Sequence, residues 1–215
     1  MRMGGCLNMR SARSEQAHVE RILGVDPSFN RSGWAILTRD GCGLSSLAAC
    51  GVIIPRGSDR SERLLSIQRQ FEQALMRWRP AVAFFERPGS WQRKRGSRRE
   101  TVEAMGMARG VMLAACAELE VPVFEIDFHT VRQTLLGRRN AGAAHVVEFV
   151  RSQGLDPPRR PRGGVDLDVA NAIVMAMYGL DHELSMDGGG GARPHGKGQR
   201  SVSAQLPLFE GFPNL

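Results

Sequence analysis

Short apolar runs and helical spacings of apolar residues follow one another along this chain, and their order predicts an α/β fold. The apolar run Arg21–Asp26 stops at a Pro-Ser-Phe-Asn turn, which indicates a buried strand. Two further apolar stretches, Gly33–Thr38 and Leu44–Ile54, are separated by an Arg-Asp-Gly sequence that is typical of a hairpin. These three segments therefore predict an antiparallel meander.

Helical and strand-like patterns alternate through the middle of the chain. Apolar residues recur at helical spacing from Arg60 to Trp78 and from Val102 to Leu119, which predicts two long helices. The first is followed by the continuous apolar run Ala81–Glu86, which is suited to a strand covered on both faces and ends in a carboxylate. The second leads into a predicted strand, Val121–Ile126. This alternation of strands and helices is typical of crossover units in an α/β sheet.

The last third of the chain predicts three more helices and then a change of composition. Weaker helical patterns cover Thr130–Leu136 and Ala141–Ser152, and an amphipathic helix is predicted over Val169–Leu180. We expect one folded domain over residues 21–184, preceded by a flexible segment, residues 1–20. Residues 185–204 are Gly-rich and cannot bury a core, which predicts a flexible linker to a tail, residues 205–215.

Length and composition exclude several protein classes. The 215 residues suffice for one compact domain with appended segments, and no apolar run approaches the roughly 18 residues of a membrane span. The first residues contain no apolar core of a secretory signal, so we expect a cytoplasmic protein without a membrane partner. Four separated cysteines without a CxxC pair indicate neither a zinc knuckle nor a disulfide framework.

The charge balance favours a polyanionic partner. Lys and Arg number 29 against 22 Asp and Glu, a formal charge of +7, so nucleic acid is the first candidate. The excess is concentrated in two predicted loops, and the alternative interpretation is a solvated basic face. These basic residues are Arg93, Lys94, Arg95, Arg98 and Arg99 in one loop, and Arg159, Arg160 and Arg162 in the other.

Carboxylates stand where an α/β sheet gathers functional groups. Asp26 and Glu86 end predicted strands, and Asp168 and Asn171 share one face of the opening turn of the last helix, with Asp166 two residues earlier. Crowded carboxylates repel one another unless a cation is present, and hard oxygen ligands select Mg²⁺ or Mn²⁺. Such a site suits two-metal phosphodiester hydrolysis, in which the ions lie roughly 3.5 to 4 Å apart.

Each carboxylate also has an ordinary alternative role. Asp26 is suited to an Asp-Pro turn, and Glu86 to a solvated strand end. Asp166 or Asp168 is suited to capping a helix. His129 is expected to be a structural or surface residue, because no second His or Cys stands at metal-binding spacing.

Five segments resemble the RuvC family of Holliday junction resolvases, in the family's order and spacing. They read ILGVDPSFNRSGWAI from residue 22, AFFE from 83, MGMARGVM from 105, FEIDFHTVRQTLLG from 124 and DVANAI from 168. The resemblance covers about residues 21–179. It implies an RNase H-like fold with a mixed five-stranded sheet flanked by helices, a homodimer, and Mg²⁺-dependent paired incision of four-way DNA junctions. It also implies that Asp26, Glu86 and Asp168 are catalytic metal ligands.

Two positions depart from the family pattern. Asn171 stands where the family usually has an acid, and Ala143 stands where a lysine is often found. An amide oxygen can bind Mg²⁺ but carries no charge, so Asp166 is the alternative fourth ligand. Arg138 or Arg139 is the candidate replacement for the missing lysine, and both are predicted to contact DNA.

The resemblance also assigns the loop after the second acidic strand, residues 88–99, to the centre of the DNA junction. Trp91 is predicted to stack on an unpaired base while the basic residues of that loop hold phosphates. The alternative is an ordinary half-buried aromatic side chain.

Two other functions compete with the nuclease. An actin-like or sugar-kinase-like phosphotransferase shares a strand-Asp-hairpin pattern but requires two such domains, and this chain contains one. A junction-binding protein of the same fold, catalytically impaired by Asn171, is the closer alternative.

A short apolar motif lies in the tail. Gln205, Leu206, Leu208 and Phe209 resemble the peptide with which bacterial proteins bind the DNA polymerase sliding clamp. Apolar side chains beyond a polar linker have no core to join, so we expect them to bind a partner's groove. A chance match, or docking onto the chain's own domain, is the alternative.

Overall fold

A mixed five-stranded sheet forms the centre of the fold. The computed structural model describes residues 20–39, 45–87 and 99–187. The strands are β1 (Glu20–Asp26), β2 (Ser32–Arg39), β3 (Ser45–Ile53), β4 (Val82–Glu86) and β5 (Val123–Ile126). Their order across the sheet is β3-β2-β1-β4-β5. The first three strands pair antiparallel, which confirms the predicted meander, and β4 and β5 add on parallel to β1.

Five helices flank this sheet in the described ranges. They are α1 (Arg60–Trp78), α2 (Arg99–Glu118), α3 (Phe128–Leu136), α4 (Ala143–Ser152) and α5 (Leu167–Asp187). No helix in these ranges is both long and apolar enough to cross a membrane. The mixed sheet and its helices agree with the fold that the resemblance implies.

Alternating side chains of the sheet bury two separate cores. Ile22 and Phe84 point to one face, where they pack with residues of α3, α4 and α5. Leu23 and Phe85 point to the opposite face and pack with α1 and α2. Because both faces are covered, β4 is apolar from Val82 to Phe85 and buried along its length, as its apolar run predicts.

Two glycines bring α5 unusually close to the sheet. A Cβ built on Gly24 of β1 would lie 2.0 Å from the carbonyl oxygen of Ala172, and one on Gly33 of β2 would lie 2.1 Å from that of Asp168. Any side chain at these positions would push the helix away. The glycines therefore let the first turns of α5 lie directly against the ends of β1 and β2.

Helix boundaries differ slightly from those read in the sequence. The Asp127 side chain accepts a hydrogen bond from the His129 backbone N–H, so α3 begins at Phe128, two residues earlier than predicted. Helix α5 begins at Leu167 and reaches Asp187. Most of the predicted N-terminal segment, most of the basic loop, and residues 188–215 lie outside the described residues, so the predictions made for them stand as predictions.

Candidate active site

The parallel pairing of β1 with β4 places two carboxylates side by side. The register joins Val25 to Phe85, and the next residue of each strand is the acid, Asp26 and Glu86. Both strands run in the same direction, so their acidic ends meet at one edge of the sheet. Glu86 is buried, with 9% of its surface exposed.

Helix α5 adds an amide to this pair. The Asn171 Nδ2 donates a hydrogen bond of 2.9 Å to Oδ2 of Asp26. Burial, followed by the charge of Glu86, raises the pKa of Asp26 well above its ordinary value, and the charge of Asp168 adds to this effect. The hydrogen bond from Asn171 lowers the pKa of Asp26, but it does not outweigh burial and the two neighbouring charges. Three predicted site residues and Asn171 therefore lie within electrostatic reach of one another.

Asp166 directly precedes α5 and caps its first turn. Its side chain accepts a hydrogen bond from the Val169 backbone N–H, the geometry of a helix cap. It also accepts hydrogen bonds from both terminal nitrogens of Arg31, and the one from Nη1 is 2.9 Å long. Burial pushes the pKa of Asp166 upward, but Arg31 outweighs burial and lowers it. Asp166 is thus ionised and fully engaged within the protein.

Asp168 lies between this cap and the Asp26–Glu86 pair. Its Oδ2 accepts hydrogen bonds from Nη1 of Arg31 and, at 3.2 Å, from Nη2 of Arg160. Sequence reasoning missed Arg31, although its place five residues after Asp26 in a turn was a usable signal. Arg160 belongs to the second basic loop, and that loop therefore reaches the acidic centre.

Arg132 on α3 is a further basic residue that sequence reasoning missed. Its guanidinium lies 4.3 Å from the centre of the Phe128 ring, and its Nε is buried without a hydrogen-bond partner. Burial lowers the pKa of Arg132, while the charges of Glu86 and Asp26 act to raise it. A cation therefore lies within electrostatic reach of the carboxylate pair.

The donor set fits a hard divalent cation in part. Within the described ranges, no group of three or more Asp, Glu, His or Cys side chains is arranged to hold a metal ion as it stands. Asp26 is nevertheless partly buried beside the buried Glu86. Burial first, and then the charge of Glu86, keeps the pKa of Asp26 high, and a bound cation would relieve this repulsion. Asn171 would offer its oxygen to a cation after rotating its amide.

The predicted DNA-binding residues fall into three groups. Trp91, Arg93, Lys94, Arg95 and Arg98 lie outside the described residues, and Arg99 is the first residue of α2. Arg138 and Arg139 are exposed after α3, with Arg138 Nη1 3.0 Å from Nε2 of His145. His129 Nδ1 lies 3.0 Å from the Arg139 carbonyl oxygen, so this histidine contacts the basic turn.

Comparisons with known proteins place the chain in a family. The family model for crossover junction endodeoxyribonuclease RuvC matches residues 22–178. The RuvC of Ruegeria pomeroyi is 34% identical over 77% of this chain and 96% of its own length. The RuvC of Prochlorococcus marinus is 31% identical over 74% of this chain and 97% of its own length.

Solved structures agree with this placement. Thermus thermophilus RuvC in complex with a Holliday junction substrate is 25% identical, with a TM-score of 0.63, covering 78% of this chain and 94% of that chain. The yeast mitochondrial Holliday junction resolvase shares the fold at a TM-score of 0.56 and 13% identity. Sequence and fold together show that this chain belongs to the RuvC family of crossover junction endodeoxyribonucleases.

Proposed function

We propose that this protein binds four-way DNA junctions and cuts them by metal-dependent phosphodiester hydrolysis. The observation that carries the proposal is the pairing of the half-buried Asp26 with the buried Glu86. The pKa of Asp26 is raised, and the pair lies beside Asp168 and Asn171 in a chain of this family. Carboxylates concentrated in this way are costly without a cation, and oxygen donors favour Mg²⁺ or Mn²⁺.

Asp26, Glu86 and Asp168 are proposed to hold the divalent cations, with Asn171 as a neutral fourth donor. When bound, the cations supply Lewis-acid activation of a water and stabilisation of the leaving oxygen. The chain itself positions the donors: paired strand ends hold two carboxylates, and the first turns of α5 hold the other two residues. Asp166 is proposed to anchor Arg31 rather than to bind metal, because its oxygens are already engaged.

Basic side chains are proposed to hold the DNA backbone around this centre. Arg132 lies within electrostatic reach of the carboxylate pair, and Arg138 and Arg139 are exposed nearby in sequence. The loop containing Trp91 is proposed to reach the junction centre, as the family resemblance implies. The complex of Thermus thermophilus RuvC with a Holliday junction supports this class of ligand.

Paired incision requires two active sites, so we propose a homodimer. Large apolar side chains are exposed on α2 and its vicinity, which supports a contact surface there. They are Met107 at 41% and Leu119 at 37% exposure. Sedimentation velocity of the full chain is expected to give a dimer, and a monomer at micromolar concentration would contradict this part of the proposal.

Asp26→Asn tests the catalytic assignment. The rate at which a synthetic four-way junction is cut in Mg²⁺ is expected to fall by at least about a hundredfold. Replacing a residue that only supports the metal ligands already lowers metal affinity or activity by up to about that factor. Junction binding measured in EDTA is expected to persist, since phosphate contacts come from the basic residues. Unchanged cutting by this variant would refute the assignment.

A junction-binding protein without nuclease activity is the second candidate. It is favoured by the neutral Asn171 at a position where the family usually has an acid. The two functions differ in one measurement, which is strand cleavage of a branched substrate by the unmodified protein in Mg²⁺ or Mn²⁺. Binding without any metal-dependent nick would support the second candidate.

A further inference from the structure

Arg31 is the best-connected cation in the acidic centre. Its Nη1 donates to Oδ1 of Asp166 at 2.9 Å and also to Oδ2 of Asp168, while its Nη2 donates to Oδ2 of Asp166. The guanidinium is therefore bidentate to Asp166, and one of its two donor nitrogens, Nη1, also donates to Asp168. Bidentate arginine–carboxylate pairs are stronger and more directional than ordinary neutral hydrogen bonds.

The anchor of Arg31 is rigid. Asp166 is 4% exposed, caps α5 through the Val169 N–H, and donates its own backbone N–H to the Pro158 carbonyl oxygen at 2.8 Å. Several independent contacts thus fix this carboxylate. Its orientation does not depend on whether Asp168 is engaged.

The turn that carries Arg31 is rigid as well. Ser32 is buried, and its Oγ accepts a hydrogen bond from the Ser28 N–H at 2.8 Å and donates one to the Ser28 carbonyl oxygen at 2.7 Å. These bonds close the turn between β1 and β2 around Arg31. The guanidinium is consequently held against Asp168 from both sides, by its turn and by its anchor.

Asp168 is the more accessible of the two carboxylates that Arg31 contacts. It is more exposed than Asp166, with side-chain exposures of 26% and 6%, and its contacts from the two arginines use one oxygen only. A carboxylate paired with two cations has less attraction left for a divalent ion. Arg31 thus stands where it opposes binding of metal by Asp168.

We propose that Arg31 is a positioning residue that competes with the divalent cation for Asp168 and releases this carboxylate when DNA phosphate binds the guanidinium. This inference rests on the proposed function. It makes binding of DNA and completion of the metal site interdependent: each ligand strengthens the other by the same factor. In the DNA-free protein, the competition weakens the cation site, because the charge of Arg31 opposes a second positive charge.

The test measures Mn²⁺ binding to the DNA-free protein by electron paramagnetic resonance. Arg31→Gln removes the competing charge and is expected to tighten Mn²⁺ binding on the order of tenfold. Arg31→Lys keeps the charge and is expected to bind Mn²⁺ as the unmodified protein does. Arg69→Gln, an exposed position on α1, is the control for removing a positive charge away from the site.

A second measurement adds an uncleaved four-way junction, whose strand integrity is checked on a denaturing gel. The junction is expected to tighten Mn²⁺ binding by the unmodified protein more than by Arg31→Gln, because that variant has no competitor left to release. Circular dichroism and thermal melting verify that the variant is folded. Should it fail this check, Arg31→Met, which retains the aliphatic stem, takes its place.

Equal or weaker Mn²⁺ binding by a folded Arg31→Gln protein would overturn the inference and assign Arg31 a purely structural role. The proposed function would survive that result if Mn²⁺ binds the unmodified protein and not Asp26→Asn. Absence of Mn²⁺ binding by every protein, with or without the junction, would overturn both. The two failures are therefore distinguishable.

Discussion

Asp26 shows at the residue scale how a strand end becomes a reactive site. In isolation this residue would be an ordinary turn acid after β1. Burial and the neighbouring Glu86 raise its pKa, and Asn171 partly offsets that rise with its hydrogen bond. The chemistry of the site thus depends on three chain segments that meet at one carboxylate.

The raised pKa of Asp26 predicts a specific pH dependence of stability. A raised folded-state pKa contributes stability that is present below the unfolded-state pKa and is lost as the pH rises through the folded-state value. The metal-free protein is therefore destabilised when Asp26 ionises. We expect Asp26→Asn to melt a few degrees above the unmodified protein in EDTA at about pH 8, and the difference to shrink toward about pH 4.

Mg²⁺ serves as the internal control for that comparison. It is expected to raise the melting temperature of the unmodified protein, because a ligand that binds only the folded state stabilises it, and to leave Asp26→Asn nearly unchanged. Equal melting curves of the two proteins in EDTA across this pH range would contradict the electrostatic account.

Asn171 is the second residue whose chemistry can be tested directly. Asn171→Asp adds a negative charge beside Asp26 and is expected to lower the Mg²⁺ concentration that gives half-maximal incision, by roughly tenfold for a gain of about 1.4 kcal/mol in cation binding. The measurement is a Mg²⁺ titration of junction cleavage. An unchanged Mg²⁺ requirement would show that residue 171 does not limit cation binding, and it would favour Asp166 as the fourth ligand.

Helix α5 is decisive at the scale of elements, because it carries Asp168 and Asn171 to the edge of the sheet. Its approach depends on Gly24 and Gly33, where a Cβ would overlap the helix backbone. The strand ends and the helix start that form the site therefore meet only because these strands carry no side chain at the contact.

Gly33→Ala tests this dependence. The added Cβ would lie 2.1 Å from the Asp168 carbonyl oxygen, so β2 or α5 must shift. Overpacking of this kind costs about 1–3 kcal/mol of unfolding free energy, and we expect incision to fall as well because Asp168 moves. Urea denaturation and junction cleavage measure the two effects.

Gly110→Ala on α2 is the matched control, because a Cβ there meets nothing within 4 Å. It is expected to be neutral or to stabilise the protein by up to about 1 kcal/mol, since glycine is unfavourable inside a helix. A Gly33→Ala protein as stable as Gly110→Ala would contradict the close-packing argument.

Charge and tail composition define the molecule as a whole. A formal charge of +7 suits a DNA-binding protein, although the acidic centre itself is locally neutralised by Arg31 and Arg160. The tail motif lies outside the described residues, and its predicted partner remains a bacterial sliding clamp. A peptide tethered by a linker would raise the effective concentration of the nuclease near replicating DNA.

The clamp prediction is tested by titrating a peptide of residues 201–215, and the full chain, against a bacterial sliding clamp. Saturable binding is expected, and Leu208→Ala and Phe209→Ala are expected to abolish it, because the apolar side chains fill the groove. Binding that is absent, or indifferent to both substitutions, would refute the prediction without affecting the nuclease assignment.

The elements, the family and the candidate acids of the site were predictable from the sequence alone. Hydrophobic periodicity is a local property, so the strands around Asp26 and Glu86 and the helix at Asp168 were predictable without coordinates. The same patterns predicted the fold and the RuvC family, and the comparisons confirm both. Ordered motifs with fixed spacing carry this information because each one reports a strand end or a helix start.

The partners of those acids, in contrast, could be identified only from the three-dimensional arrangement of the chain. Arg31 meets Asp166 and Asp168 across 135 and 137 residues of sequence, and Asn171 meets Asp26 across 145. No periodicity encodes such pairs, because they depend on strand register, on the close approach of α5 and on the path of a turn. An arginine in a turn looks the same in the sequence whether it faces solvent or a carboxylate, and only the packing of distant segments distinguishes the two.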